Sequence, residues 1–129
     1  FDLADVVGDM VTELESRSDL MVDLLTEIDE EVVLSEDIRL AGYRIVQEQM
    51  NNVEAHAHAK NLFIELAARK DGLYISVDDD GVGFDISKKA KGIGLTKIES
   101  RVRFHAGEMH IVSEPGHGCK LHVFLPVAS

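Results

Sequence analysis

The chain has 129 residues, is 45% hydrophobic and carries a formal net charge of -11. That length suits one domain with a full core, and the apolar content excludes a disordered chain. The negative charge argues against nucleic acid as a partner, because its phosphates would be repelled, and the lone Cys119 rules out an internal disulfide.

In chain order, "DLADVVGDMVTELESRS" predicts a helix from the spacing of Leu3, Val6, Val7, Met10 and Leu14, with Gly8 as its weak point. "LMVDLLTEI" is short and rich in branched residues, and reads as a strand. The longest helix lies within "VVLSEDIRLAGYRIVQEQMNNVEAHAHA", with Ser35 as N-cap and Glu36 and Asp37 suited to its first turn. "NLFIELAAR" and "LYISVDD" are strands joined by the turn "KDG". A loop of about ten residues precedes the helix "LTKIESRVRFHAG", which stops at Gly107. "EMHIVSE" and "CKLHVFLP" form a second hairpin about "PGHG". The mixed order of helices and strands with two hairpins predicts a mixed sheet with helices on one face. No apolar run approaches 18 residues and no signal peptide is seen, so the chain is expected not to insert in a membrane. It begins at Phe1, already in a helical pattern, and is expected to be a single domain, residues 1–129, of a longer protein.

Two regions hold candidate chemistry. In "VDDDGVGFDISKKAKGIGL" the strand alternation of Leu73, Ile75 and Val77 continues to Asp79, which is expected to face the core while Asp78 and Asp80 face away. A carboxylate there needs a donor, and a ligand amino group is one candidate. The acids do not fit a calcium loop, because placing Gly81 sixth leaves Ser87 where the bidentate Glu belongs. "GIGLTK" has Lys97 where a dinucleotide fingerprint needs its third glycine, and no Walker-type phosphate loop exists. Six of the thirteen Lys and Arg residues fall between Lys88 and Arg103, a local basic cluster suited to a small anion.

On the long helix, Tyr43, Val46, Met50, Val53 and Ala57 make an apolar stripe, and Glu48, Asn52 and His56 form a row at its edge. Two Asn residues in mid-helix are unfavourable unless one has a task, and an Asn carbonyl can ligate a magnesium ion already held by phosphates. His56 is expected to be a hydrogen-bonded edge histidine, and it cannot share a metal with His58 two residues on. An acid at a strand end, an Asn on a helix, glycine loops and a basic cluster together make the set needed to hold a nucleoside triphosphate.

"QEQMNNVEAHA", "DDDGVGFD" and "KGIGLTKIESRV" resemble the N, G1/F and G2 boxes of the catalytic ATP-binding domain of bacterial sensor histidine kinases. With "YRIVQEQMNN" and "SEPGHGCKLHVFLP", the chain is most similar to the nitrate-sensor-like and desaturase-sensor-like subfamily, from about residue 20 to 127. The resemblance implies a two-layer α/β sandwich of the GHKL type, a mixed, mainly antiparallel sheet with helices on one face, and ATP held under a mobile lid that includes Ile86 to Lys91. By motif, Asp79 would accept the adenine amino hydrogen, Asn52 would ligate magnesium, and Glu48 would be the catalytic acid of its box. Gly81 and Gly83, then Lys91, Gly92, Gly94 and Leu95, and finally Cys119, complete the implied nucleotide-binding set. Lys88, Lys89, Lys97 and Arg101 are further candidate cations.

The chain departs from the family pattern at Ala55, where a Lys before His56 is usual, and at Cys119, where the last turn usually has Thr. The resemblance further implies ATP and Mg2+ as cofactors, a cytoplasmic location, a phosphoacceptor dimerisation domain of the same protein and a response regulator as partners. A GHKL ATPase, an anti-sigma-factor-like serine kinase and a nucleotide-binding regulatory module without transfer remain as alternatives.

Overall fold

The computed structural model describes residues 1–89 and 95–127. Helix α1 (Leu3–Arg17) starts at Asp2, whose carboxylate accepts the Asp5 N–H at 3.1 Å, and strand β1 (Met21–Ile28) follows. Helix α2 (Glu36–Asn52) begins at Ser35, whose hydroxyl accepts the Ile38 N–H at 3.2 Å. These caps satisfy amide groups that a helix start leaves without partners. α2 runs on into a π-helical turn, Val53–Ala57, and ends at His58 in the left-handed region.

The hairpin of β2 (Asn61–Arg69) and β3 (Gly72–Asp79) comes next. Residues expected to lack helical period then form one helical turn, α3 (Ile86–Lys89). Asp85 explains that difference, because its carboxylate accepts both the N–H and the hydroxyl of Ser87 and so starts the turn. The rest of the expected lid, through Lys91, falls in residues 90–94, outside the described residues. Helix α4 (Leu95–Phe104) and the hairpin of β4 (Glu108–Ser113) and β5 (Cys119–Pro126) complete the fold.

The five strands form one mixed sheet in the order β1-β2-β3-β5-β4. Only β1 with β2 is a parallel pair; the other three are antiparallel. Strand alternation decides which face is covered. Leu62, Ile64 and Leu66 of β2, Leu73, Ile75 and Val77 of β3, and Leu121, Val123 and Leu125 of β5 are buried under the helices. The other face carries Phe63, Tyr74, His122 and Val112 toward solvent. The helices meet the buried face with matching faces: Val7, Val11 and Leu14 of α1, Ile45, Val46 and Met50 of α2, and Ile98 and Val102 of α4. This is the two-layer α/β sandwich the sequence implied. No helix among the described residues is long and apolar enough to cross a membrane.

Gly8 lies inside α1, and a methyl group built on it meets no other atom within 4 Å. Gly8→Ala is therefore expected to stabilise the chain by about 0.5–1 kcal/mol, since it restricts the unfolded chain at no steric cost. Urea unfolding of the two proteins checks this.

Candidate nucleotide site

The site is assembled where β3 ends against the end of α2. Asp79 continues the inner face of β3, as its alternation predicted, and is only 9% exposed. Its carboxylate accepts the Gly81 N–H at 2.8 Å and a backbone hydrogen bond from Cys119, its partner across the β3–β5 ladder. Desolvation nonetheless outweighs the Gly81 bond, and the neighbouring Asp80 charge adds to it, so the Asp79 pKa lies above its ordinary value.

The other two aspartates have separate tasks. Asp80 accepts the N–H groups of Lys60 and Asn61, both at 2.9 Å, and the Asn61 side-chain amide, pinning the end of β3 to the start of β2. The Asn61 backbone bond is the main reason its pKa is lowered. Asp78 faces the open side of the sheet, 3.1 Å from Nε2 of His122.

Gly81 and Gly83 have clear steric reasons. A Cβ on Gly81 would lie 2.1 Å from the Ala57 carbonyl oxygen, at the point where the Val82 N–H donates to that oxygen at 2.7 Å. Gly83 has φ of +64° and lies against the Glu114 carbonyl. On its far side the loop is held by Ser113, whose hydroxyl accepts the Phe84 N–H and donates to the Gly118 carbonyl. Ser113 is buried and was missed from sequence, since a strand-end serine carries no signal of its own.

Between these elements lies a cavity of about 170 Å³, lined by Gln49, Asn52, Val53, His56, Ala57, Asp79, Val82, Gly83, Phe84 and Cys119. It is smaller than the roughly 300–1,000 Å³ of a site enclosing a whole drug-sized ligand, and suits one flat group. Asn52, Asp79, Gly83 and Cys119 of the expected set thus meet in one place, with Gly81 beside them. The Cys119 thiol is pushed up to about 12, first by desolvation and then by the Asp79 and Asp78 charges, so it stays neutral. His56 lines the cavity and is exposed, and among the described residues its ring has no hydrogen-bond partner, contrary to expectation. Glu54 turns away from the cavity to form a two-point ion pair with Arg17 of α1.

Glu48 is not in this cavity. It lies one turn earlier on α2, in a second cleft of about 340 Å³ with Arg44, Gln47, Lys97, Ile98 and Arg101. A helical turn advances about 5.4 Å, so the two clefts adjoin, one apolar and one lined by three cations and an acid. Leu95 packs in the core at 3% exposure rather than in either cleft. Lys91, Gly92 and Gly94 lie outside the described residues, and the side chains of Lys88 and Lys89 are likewise not described.

The donor set fits a metal held mainly by a ligand. No group of three His, Cys, Asp or Glu residues able to hold a metal exists among the described residues. The Nδ2 of Asn52 donates to Gln49 at 3.0 Å, which leaves its carbonyl oxygen as a neutral ligand. Magnesium commonly takes one or two protein ligands and completes its shell with phosphates and water.

A family model described as "Histidine kinase-, DNA gyrase B-, and HSP90-like ATPase" matches residues 37–129. An uncharacterized sensor-like histidine kinase of Chloroflexus aurantiacus is 33% identical over 81% of this chain and 18% of that protein. The signal transduction histidine-protein kinase/phosphatase UhpB of Salmonella typhimurium is 31% identical over 96% of this chain and 24% of that protein. The chain therefore spans about a quarter or less of these two curated relatives. Among solved structures, the histidine kinase domain of the Erythrobacter litoralis EL346 blue-light activated kinase matches with a TM-score of 0.76 at 16% identity, covering 98% of this chain and 61% of that one. The Acinetobacter baumannii histidine kinase AdeS matches with a TM-score of 0.74 at 13% identity, covering 98% and 64%. At these identities the two structures establish a shared fold.

Asp79 makes a testable contribution to stability. Its folded pKa is raised, so its favourable share is full below its ordinary 3.8 and is lost as pH rises through the folded value. Relative to Asp79→Asn, the native chain should therefore lose stability across that window. Thermal unfolding of both proteins from pH 4 to 8 checks the sign.

Proposed function

The chain belongs to the histidine kinase-, DNA gyrase B- and HSP90-like ATPase family, and from that premise we propose that it is the ATP-binding catalytic domain of a sensor histidine kinase. It would transfer the γ-phosphoryl group of ATP to a histidine on a dimerisation domain outside this chain, for onward use by a response regulator in the cytoplasm. The observation that carries this reading is the buried Asp79 carboxylate sharing with Asn52 the lining of a cavity sized for a flat ring. The curated relatives named above carry the names of histidine kinases, which favours this reading over a freestanding ATPase or a serine kinase.

Each residue then has a chemical task. Asp79 is an acceptor only, so it suits the exocyclic amino group of adenine and disfavours the carbonyl that guanine presents there. Gly81 and Gly83 let the loop approach the base, and Val53, Phe84 and the neutral Cys119 supply apolar walls. Asn52 would hold magnesium through its carbonyl oxygen; bound there, the ion would supply charge neutralisation to the phosphates. Phosphoryl transfer is mostly positioning and charge neutralisation, and Lys97 and Arg101 line the adjoining cleft where such charge is wanted. Glu48 shares that cleft and would polarise the incoming nucleophile. By motif, Lys91, Gly92 and Gly94 of the second glycine box would contribute to phosphate binding.

The isolated chain is expected to bind ATP in preference to GTP, and Asp79→Asn to weaken ATP binding about tenfold or more, since a hydrogen bond to a charged group contributes roughly 1.5–3 kcal/mol. Calorimetric titration decides this, and equal ATP and GTP affinities would overturn the role of Asp79.

The chain alone is expected not to phosphorylate itself. Its six histidines are His56, His58, His105, His110, His117 and His122, and none is followed directly by an acid that could raise its nucleophilicity. His110 and His122 face the open side of the sheet, away from the cavity, and His56 is fixed on the π-helical turn. A separate phosphoacceptor domain added in trans should restore slow transfer, because the effective concentration of a tether is lost. The check is incubation with labelled ATP and magnesium. Acid-labile, base-stable label on this chain by itself would contradict the proposal.

A further inference from the structure

Three polar or charged side chains among the described residues are buried, Asp79, Ser113 and Gln49, and Gln49 is the least exposed of them. At 2% exposure it gives up the rotamer freedom of a long side chain, and its amide leaves water for only two partners. One is weak: its Nε2 donates to Sγ of Cys119 at 3.8 Å, and sulfur is a poor acceptor. The other is strong: its Oε1 accepts from Nδ2 of Asn52 at 3.0 Å. An apolar side chain of the same length would fill the cavity floor at lower cost, so stability alone does not account for a glutamine here.

We propose that Gln49 is a positioning residue that sets the amide orientation of Asn52. This rests on the reading of Asn52 as the magnesium ligand. The logic is one of matched donors and acceptors. Cys119 takes the Gln49 amide nitrogen, which turns the Gln49 carbonyl toward Asn52. In this arrangement Asn52 presents its own amide nitrogen to Gln49, and its carbonyl oxygen is left for a cation. The flipped Asn52 would set two oxygens against each other and turn an NH2 group toward the metal. Positions 49 and 52 are three apart on α2, so the bond stays on one helix face, while Cys119 of β5 holds the other end of the Gln49 amide. Through the sulfur the arrangement continues to Cys119, whose backbone bonds Asp79, so one line of contacts floors the cavity from the base-reading acid to the metal ligand.

The test uses Gln49→Met, which keeps length and apolar contact but offers no comparable acceptor, with Asn52→Ala beside it. For Gln49→Met, the magnesium concentration giving half-maximal ATP binding should rise about tenfold, as when an outer-shell partner of a metal ligand is lost. Adenosine binding without magnesium should stay within twofold, and the Asn52 side-chain amide protons should exchange faster by NMR even without metal. An unchanged magnesium midpoint in Gln49→Met, where Asn52→Ala shifts it, would overturn the proposal and leave Asn52 as ligand. An unchanged midpoint in both variants, with adenosine still bound, would overturn the reading of Asn52 as well. Should Gln49→Met fail to fold, the native chain suffices: Asn52 amide protons exchanging as fast as those of a free Asn side chain would overturn the proposal.

Discussion

The contact between the Val82 N–H and the Ala57 carbonyl governs the geometry of the site. Ala57 closes the π-helical turn at the end of α2, where a helix leaves carbonyls without partners. Val82 opens the loop after β3, and the 2.7 Å bond joins the two ends directly. Only a residue without a side chain can precede Val82 at that distance, which is why Gly81 stands there. With the ends joined, Asn52 and Asp79 must share one cavity, although they lie on different layers of the sandwich. The hydroxyl of Ser113 holds the loop from the opposite side, so the cavity wall is fixed at two points.

That rigidity comes with a local conflict. Asp79 is a carboxylate at the end of an apolar stripe, held by backbone amides that do not fully offset its loss of water. Its neighbours on the cavity floor, Gln49 and Cys119, are polar or polarisable where the rest of α2 and β5 bury aliphatic side chains. Departures from local consistency of this kind gather where a protein binds something. Away from the cavity the same chain follows ordinary rules, with capped helices, alternating strands and Arg17–Glu54 paired at the surface.

Much of this was legible in the residues. Periods of 3.6 and 2 gave the helices and strands, and the alternation along β3 placed Asp79 inward before any coordinates. Ser35 and the "KDG" turn marked their boundaries. The parts that were not legible depend on contacts between distant segments. Nothing in "DDDGVG" says that Asp80 serves Lys60 and Asn61, because those donors lie where another strand begins. Spacing along α2 put Glu48, Asn52 and His56 in one row, yet the row passes two clefts rather than one, since α4 packs beside its first member. The turn at Ile86–Lys89 was missed because its signal is one capping side chain, Asp85, rather than a period.

The single parallel pair, β1 with β2, has a consequence for how the chain reaches this state. Met21 lies opposite Asn61, and α2 fills the intervening chain. The hairpins β2–β3 and β4–β5 join near neighbours through short turns, so closing them restricts few residues. Pairing β1 with β2 requires a loop of roughly forty residues to close, and so does pairing β3 with β5, where Asp79 lies opposite Cys119; both entropic costs are met before the contacts repay them. The parallel edge of the sheet and the β3–β5 joint that floors the cavity are therefore both long-range, and the two hairpins are the parts that local contacts can build. In a partly unfolded chain either hairpin can form alone, but the cavity exists only where the two have docked, because Asp79 and Cys119 come from different hairpins.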